Sequence, residues 1–264
     1  MQDDTKRTFA VAATLCLVCS VLVSTAAVSL KSAQKENQRL DVQKNILEVV
    51  GLYDENKPVG TQFEGDWKVL VSLGSGNVMD KEDAQFEGLD LANFDARKAV
   101  KIEGQFEVIA DGALPQISKR ARYDFVYEIR SKEDGSLQKI VLPIYGKGLW
   151  STLYGFIALE PDCSTIAGIT FYEHGETPGL GGEVDNKAWK ASWQGKTAFG
   201  TGDYSKPTIS VVKGKASSDD TIDGLSGATI TSKGVSDLVK YWLGPSGFGK
   251  YLDRIRSEQN SNAE

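Results

Sequence analysis

The sequence predicts an α+β protein in which a largely antiparallel sheet is flanked by helices and preceded by one transmembrane helix. Two observations carry this prediction. Strand-like segments in the middle of the chain are joined by short hairpin-type turns, while helical periodicity is confined to the two ends. An uncharged stretch near the amino terminus is long enough to cross a bilayer. The 264 residues allow one domain of ordinary size with appendages.

The composition excludes several classes of function. A net charge of −6 argues against a nucleic-acid-binding surface, because such a surface would be basic. Two of the three cysteines lie in the apolar stretch, so a disulfide within the remaining chain is excluded by count. The single histidine, His174, argues against a multi-histidine metal site and against a Ser-His-Asp triad.

Residues 9–30 contain no charged side chain and would form a helix about 30 Å long, enough to span the hydrocarbon core. A cleaved signal peptide is the alternative, but its apolar region would be only about 7–15 residues long. Basic residues flank both ends of the stretch, so charge alone leaves the orientation open. The predicted organisation is a tail over 1–8, the transmembrane helix over 9–30, one domain over 31–256 and a polar tail over 257–264.

Apolar residues at helical spacing predict a helix over 37–50, which Gly51 ends. The region up to about residue 100 lacks strong periodicity and is interpreted as irregular, although its tryptophan, valines and leucines near 67–73 require burial. Alternation and turn residues then predict strands over 104–112, 123–130, 137–146, 154–160, 165–173 and 207–214, of which the middle four form two hairpins.

The last strong periodic pattern predicts a helix over 232–243, with its buried stripe marked by Val235, Leu238 and Trp242. The segment before it, "DGLSGATITSKGV" (223–235), has small residues and several hydroxyls at the helix entrance. One interpretation is an N-cap in which Thr231 or Ser232 caps the helix. The other is an anion site, because helix-start N–H groups and a nearby lysine favour a phosphate beside Thr229.

Two more segments have the small residues that permit close approach of a ligand to the backbone. In "YEHGETPGLGGEV" (172–184), Leu180 offers an apolar face, and Glu176 and Thr177 offer hydrogen bonds. His174 with Glu176 could also form an acid–base or metal pair, but the signal is weak. In "YGKGLWSTLYG" (145–155), Trp150 is either a core residue or the wall of an aromatic ligand's site. No segment supplies a strong nucleophile–base couple, which favours cofactor binding over hydrolysis.

These three segments carry a resemblance to a known family. Asp223 followed by "SGAT" (226–229) resembles the flavinylation motif of the FMN-binding domain family, and "GKGLW" and "HGETPGLG" resemble its other two landmarks. The anchor and length are similar to those of the NqrC family, whose members belong to Na⁺-translocating NADH:quinone oxidoreductases. The resemblance implies FMN joined by a phosphoester to Thr229. It also implies a cofactor site made by Asp223, Ser226, Gly227, Ala228, Lys233, Glu176, Thr177, Leu180, Gly181, Leu149 and Trp150, with no metal.

The resemblance further implies that a flavin transferase attaches the FMN from FAD with Mg²⁺. The chain would be one flavin relay in a bacterial inner-membrane complex that moves electrons from NADH to ubiquinone and Na⁺ outward. It would not be catalytic alone, its soluble domain would be periplasmic, and its partners would be the other subunits. No G-x-G-x-x-G follows a strand, so NADH would bind elsewhere. Residues 9–30 lack the polar groups of an ion path.

Three alternatives remain at the level of sequence. The homologous flavin-carrying G subunit of an Rnf-type ferredoxin:NAD complex has the same anchor and motif. A membrane-anchored FMN-binding sensor or assembly protein would carry the flavin without a role in electron flow. A domain without a ligand would use the turn at 226–229 merely to cap its helix.

Overall fold

The computed structural model describes residues 2–63, 67–91, 94–110 and 112–262. The chain divides into two compact units, residues 1–43 and 44–264. The predicted amino-terminal tail begins at Met1, and the predicted carboxyl-terminal tail ends at 263–264; these end positions lie outside the described residues.

The first helix, α1 (Gln2–Val49), is continuous over 48 residues. It therefore joins the predicted span over 9–30 to the helix predicted over 37–50, which are two separate elements in the prediction. Among the described residues this is the one helix long and apolar enough to cross a membrane, with a mean hydropathy of 2.3 in its most apolar window. Near its end, Ile46 and Leu47 are fully buried within the second unit.

The second unit is built on a six-stranded antiparallel sheet with the strand order β2-β1-β5-β6-β7-β8. Its strands are β1 (Lys68–Ser72), β2 (Val78–Met79), β5 (Tyr123–Arg130), β6 (Leu137–Lys147), β7 (Thr152–Leu159) and β8 (Ile166–Glu173). Two small sheets accompany it, β3 (Phe106–Val108) with antiparallel β4 (Lys119–Ala121), and β9 (Ser210–Val211) with parallel β10 (Thr221–Ile222).

Helices and turns complete the second unit. They are α2 (Val59–Gln62), α3 (Lys81–Phe86), α4 (Ala96–Ala99), a 3₁₀ turn (Gly181–Asp185), α5 (Lys187–Ala191), α6 (Thr229–Leu243) and α7 (Gly249–Asn262). The α6 helix packs on β6, where the Trp242 indole N–H donates to the Tyr145 carbonyl at 2.7 Å. In α7, Tyr251 is fully buried and its hydroxyl donates to the Glu128 carboxylate at 2.8 Å.

The two predicted hairpins, β5–β6 and β7–β8, are confirmed, and so is the antiparallel α+β class. Two predictions about strands are wrong. The region interpreted as irregular contains β1, which pairs with β5 inside the main sheet, although Leu70 and Val71 are buried there as expected. The strand predicted over 207–214 shrinks to the two residues of β9, because the chain around them bonds to loop carbonyls instead of a long partner strand.

Candidate functional site

One carboxylate brings the three predicted segments together. Glu176 is 5% exposed. Its Oε1 accepts the N–H groups of Trp150 at 2.9 Å and Ser151 at 3.0 Å, and its Oε2 accepts the Leu149 N–H at 3.1 Å. The same Oε2 accepts the hydroxyl of Thr231, on α6, at 2.7 Å. The loop between β6 and β7, the segment after β8 and the start of α6 are therefore joined at a single side chain.

The electrostatics of Glu176 follow from these contacts. Burial opposes ionisation, but the hydrogen bonds from Thr231 and from the backbone at 149–151 outweigh it and lower the pKa of the carboxyl. The carboxylate is thus ionised and occupied by protein donors. Its geometry is that of a positioning residue for the β6–β7 loop, and the direct ligand contact that the resemblance implies stays a prediction.

Close contacts with this carboxylate require glycine at two positions of the predicted segments, Gly148 and Gly181. A Cβ added at Gly148 would lie 2.6 Å from Glu176 Oε1, and one added at Gly181 would lie 2.7 Å from both Glu176 Oε2 and Thr231 Oγ1. Real Cβ atoms do not approach so closely, so any side chain at either position would displace the carboxylate. Glycines predicted to permit close approach of a ligand thus also permit close contact within the protein.

The start of α6 differs from the prediction. The helix begins at Thr229, three residues earlier than expected, and its N-cap is Ala228, which makes no side-chain capping bond. The prediction that Thr231 or Ser232 caps the helix is wrong. Both lie inside the first turns and are buried, with Thr231 bonded to Glu176 and the Ser232 hydroxyl accepting the Leu225 N–H at 3.1 Å. Their hydroxyls stabilise the fold and are not accessible to a modifying enzyme.

The hydroxyls that remain accessible in the motif are those of Ser226 and Thr229, both exposed. Gly227 between them has φ +70°, a conformation that other residues adopt at a cost. A Cβ there would also lie 2.9 Å from Leu180, so the turn is packed against that side chain. Thr229 therefore presents its oxygen at the first turn of a 15-residue helix, where the leading N–H groups favour negative charge.

Large apolar side chains are exposed in the three segments that Glu176 joins. Leu149 is 48% exposed, Trp150 71% and Leu180 44%, so the alternative that Trp150 is a core residue is wrong. Ile230, which follows Thr229, is 59% exposed and is missing from the predicted site. Extending the helical periodicity of 232–243 back by one turn places Ile230 off the buried stripe, and this is the signal that identifies it. Exposed apolar groups beside a polar turn are typical of a ligand or partner surface.

The remaining predicted residues have identifiable partners. The Asp223 carboxylate accepts the Ala216 N–H at 2.6 Å and orders the loop before β10. The Thr177 carbonyl accepts the N–H groups of Leu180 and of the glycine at 182, at 3.1 and 2.9 Å. The Lys233 ammonium, 71% exposed, pairs with Asp237 one turn along α6.

His174, the weak candidate for an acid–base or metal pair with Glu176, has partners within the fold for both ring nitrogens. Its Nε2 lies 2.8 Å from Asp185 Oδ2, and its Nδ1 accepts the Glu176 N–H at 3.2 Å. Within the parts of the chain that the structure describes, no group of three or more His, Cys, Asp or Glu side chains is arranged to hold a metal ion.

A surface cavity of about 530 Å³ adjoins the turn. Its lining includes Thr229, Ser226 and Asp223 from the motif, and Lys213 and Lys215 from the loop after β9. This volume is in the range of small-molecule sites. The two lysines are absent from the predicted site, because they fall outside the three segments and isolated lysines carry no pattern.

The arrangement fits a flavin nucleotide. It combines an accessible hydroxyl at a helix start, exposed apolar side chains for a planar ring, and lysines for a phosphate. It does not resemble a hydrolytic centre, since its buried carboxylate is fully occupied by protein donors.

The FMN-binding domain family matches residues 148–244, which include the segments 172–184 and 223–235 and all of 145–155 except its first three residues. The C subunit of the Na⁺-translocating NADH-quinone reductase of Vibrio campbellii is 43% identical over 258 residues, covering 96% of each chain. The Pseudomonas aeruginosa protein of the same description is 43% identical over 266 residues, covering 97% of each. The crystal structure of Shewanella oneidensis NqrC superposes with a TM-score of 0.73 at 30% identity, covering 85% of this chain and 99% of that one. The chain therefore belongs to the NqrC family of the Na⁺-translocating NADH-quinone reductases.

Proposed function

We propose that the chain is the flavin-carrying electron-transfer subunit of a Na⁺-translocating NADH:quinone oxidoreductase, with FMN joined through its phosphate to Thr229. The observation that carries the proposal is the placement of the Thr229 hydroxyl, exposed at the start of α6 and next to exposed apolar side chains. The names of the relatives and the matching FMN-binding domain family support it.

The attachment step is a phosphoryl transfer. The Thr229 hydroxyl oxygen forms a bond to the phosphorus of the FMN half of FAD, the phosphoanhydride bond breaks, and AMP leaves. The hydroxyl proton passes to solvent or to the flavin transferase, which uses Mg²⁺. Ser226 is the other accessible hydroxyl, but Thr229 lies at the helix start, where the phosphodiester's negative charge is stabilised by about 0.3–1 kcal/mol.

The chain's own residues position the ring. Leu149, Trp150 and Leu180 supply apolar contact, and Glu176 holds the loop of the first two in place through its backbone bonds. FMN supplies one- and two-electron chemistry when it is bound. Attachment through the phosphate leaves the ring free for this chemistry.

The partners of the proposed relay are the other subunits of the complex and, during maturation, the flavin transferase. The apolar part of α1 would anchor the chain in the bacterial inner membrane as a single span, with its following domain on the periplasmic side. The names of the relatives favour this complex over the Rnf-type alternative. A sensor or assembly role predicts that NADH-driven quinone reduction continues when the flavin is lost.

The test is loss of covalent flavin in Thr229→Ala. The full chain is co-expressed with a flavin transferase, denatured, and examined for flavin fluorescence on the gel and for FMN mass on the peptide that contains 226–233. We expect covalent FMN on the wild-type chain and on Ser226→Ala, and no covalent FMN on Thr229→Ala. Thr201→Ala, at another exposed threonine, is the matched control and should load fully.

The same variants separate the functional alternatives. In the assembled complex, Thr229→Ala should abolish Na⁺-coupled electron flow from NADH to quinone, while Thr201→Ala should not affect it. Covalent FMN that persists in Thr229→Ala would refute the assignment of the acceptor. Unchanged quinone reduction without the flavin would refute the relay.

A further inference from the structure

The cavity beside Thr229 carries an excess of positive charge that the motif does not explain. Its lining contains three lysines, Lys213, Lys215 and Lys233, and one carboxylate, Asp223. That carboxylate accepts the Ala216 N–H at 2.6 Å, and the Lys233 ammonium is paired with Asp237.

The other two lysines are free. Within the described parts of the chain, Lys213 and Lys215 make neither a hydrogen bond nor an ion pair, and both are exposed. They stand on either side of Gly214, whose carbonyl accepts the Gly224 N–H at 2.8 Å. This bond ties the loop that carries the lysines to the segment just before the turn at 226–229, and both lysines line the same cavity as Thr229.

The polar groups at the base of this cavity are already paired. The Ser236 hydroxyl accepts the Val211 N–H at 2.8 Å, and the Ser232 hydroxyl accepts the Leu225 N–H. The ammonium groups of Lys213 and Lys215 and the hydroxyls of Ser226 and Thr229 are therefore left to meet a ligand. A phosphate monoester carries a charge of about −1.5 to −2 near pH 7, and an ammonium group is a common partner for it.

We propose that Lys213 and Lys215 form the phosphate-binding part of the flavin site and hold the phosphoryl end of FMN at Thr229. The proposal rests on the proposed function and adds two positioning residues that the motif does not contain. The apolar ring contacts, by contrast, come from Leu149, Trp150 and Leu180, none of which lines this cavity. The flavin would thus lie across the turn, with its ring on the apolar side and its phosphate on the lysine side.

The experiment compares two flavins that differ only in the phosphate. In the full chain carrying Thr229→Ala, in detergent, the affinities of FMN and riboflavin are measured by fluorescence quenching. Exposed ion pairs each contribute a few-fold to binding, so FMN should bind about five- to tenfold more tightly than riboflavin. Inorganic phosphate should compete with FMN and not with riboflavin, and the advantage of FMN should shrink as salt is raised.

Adding Lys213→Gln and Lys215→Gln should reduce the FMN advantage to within about twofold and leave riboflavin affinity unchanged. The double variant Lys213→Arg with Lys215→Arg should retain most of the affinity advantage of FMN over riboflavin, because both positive charges are kept. Lys101→Gln with Lys187→Gln is the matched control; both are exposed and lie outside the cavity lining. Circular dichroism verifies that each variant is folded.

Equal affinity for the two flavins, absence of measurable FMN binding, or an unchanged FMN advantage in the Gln variant would overturn the proposal. These outcomes are distinct from failure of the proposed function, which is read from covalent loading at Thr229 in a chain whose lysines are intact.

Discussion

Glu176→Gln tests whether one carboxylate assembles the site. The substitution keeps the shape of the side chain but replaces one acceptor oxygen with an NH₂ group, which cannot accept. If the amide nitrogen takes the place of Oε1, the N–H groups of Trp150 and Ser151 lose their acceptor. If it takes the place of Oε2, it can donate to Thr231, but the Leu149 N–H is left without a partner. Either orientation orphans at least one backbone donor.

The magnitude follows from that geometry. A buried donor left unsatisfied costs about 1–3 kcal/mol, and hydrogen bonds to a charged acceptor are worth more than those to a neutral one. We therefore expect Glu176→Gln to lower the free energy of unfolding by about 2–3 kcal/mol. The β6–β7 loop should also loosen, which would lower covalent loading or the yield of bound flavin.

The assay is urea unfolding of the full chain in detergent, followed by circular dichroism. Glu133→Gln, in the exposed β5–β6 turn, is the control and should change stability by less than about 0.5 kcal/mol. A loss in Glu176→Gln as small as the control's would refute the reasoning.

The pH dependence gives an independent readout of the same contacts. Because the native pKa of Glu176 is lowered, its stabilisation is complete above the ordinary glutamate value of about 4.3 and is lost as the pH falls through the native pKa. The Gln variant has no carboxyl to titrate, so its stability should fall less steeply than the wild type's below about pH 4.3. Parallel curves would contradict the assignment.

Two further predictions concern an exposed and a buried side chain. Trp150→Ala should change stability by less than about 0.5 kcal/mol, because the ring is 71% exposed. In the protein loaded with FMN, the same substitution should raise the midpoint potential of the flavin by about 20 mV, which is about 1 kcal/mol for a two-electron couple. The reason is that water then reaches the charged reduced flavin ring. A redox titration that gives an unchanged potential would contradict contact between the flavin ring and Trp150. Burial raises the pKa of Asp124 to about 7, against the hydrogen bond that it accepts from the Phe125 N–H. Between about pH 4 and pH 7 the native state therefore retains a proton that the unfolded chain releases. The free energy of unfolding should consequently fall as the pH rises through this range. Asp124→Asn should flatten that fall in urea titrations at several pH values, whereas a slope equal to the wild type's would exclude Asp124 as its source.

The sequence predicts the central sheet well because its signals are local. Alternation and tight turns determine β5 to β8, and their hairpin pairing requires no distant information. The sequence does not predict β1, since these five residues are bounded by weak turn signals and become a strand through pairing with β5. It also misplaces the start of α6, because Thr231 and Ser232 have good capping side chains but use them in tertiary contacts.

The candidate site is predictable only in part for a similar reason. The motif and its family resemblance single out Thr229 and its small neighbours, and this assignment stays a prediction. The way three loops meet in space determines that the Glu176 carboxylate binds donors of the protein and that the Trp150 side chain is exposed. Lys213 and Lys215 have no sequence signature, and only the adjacent cavity singles them out.

The bonds from Glu176 to Trp150 and Thr231 join residues separated by 26 and 55 positions along the chain. A nascent or misfolded polypeptide that has not closed both contacts lacks the scaffold that positions the acceptor turn against its neighbouring loops. Under the proposed function, modification would be a late event in biogenesis, and the yellow fraction in a preparation would count correctly matured molecules. Expression yield and cofactor occupancy should accordingly be recorded separately whenever variants of this protein are compared.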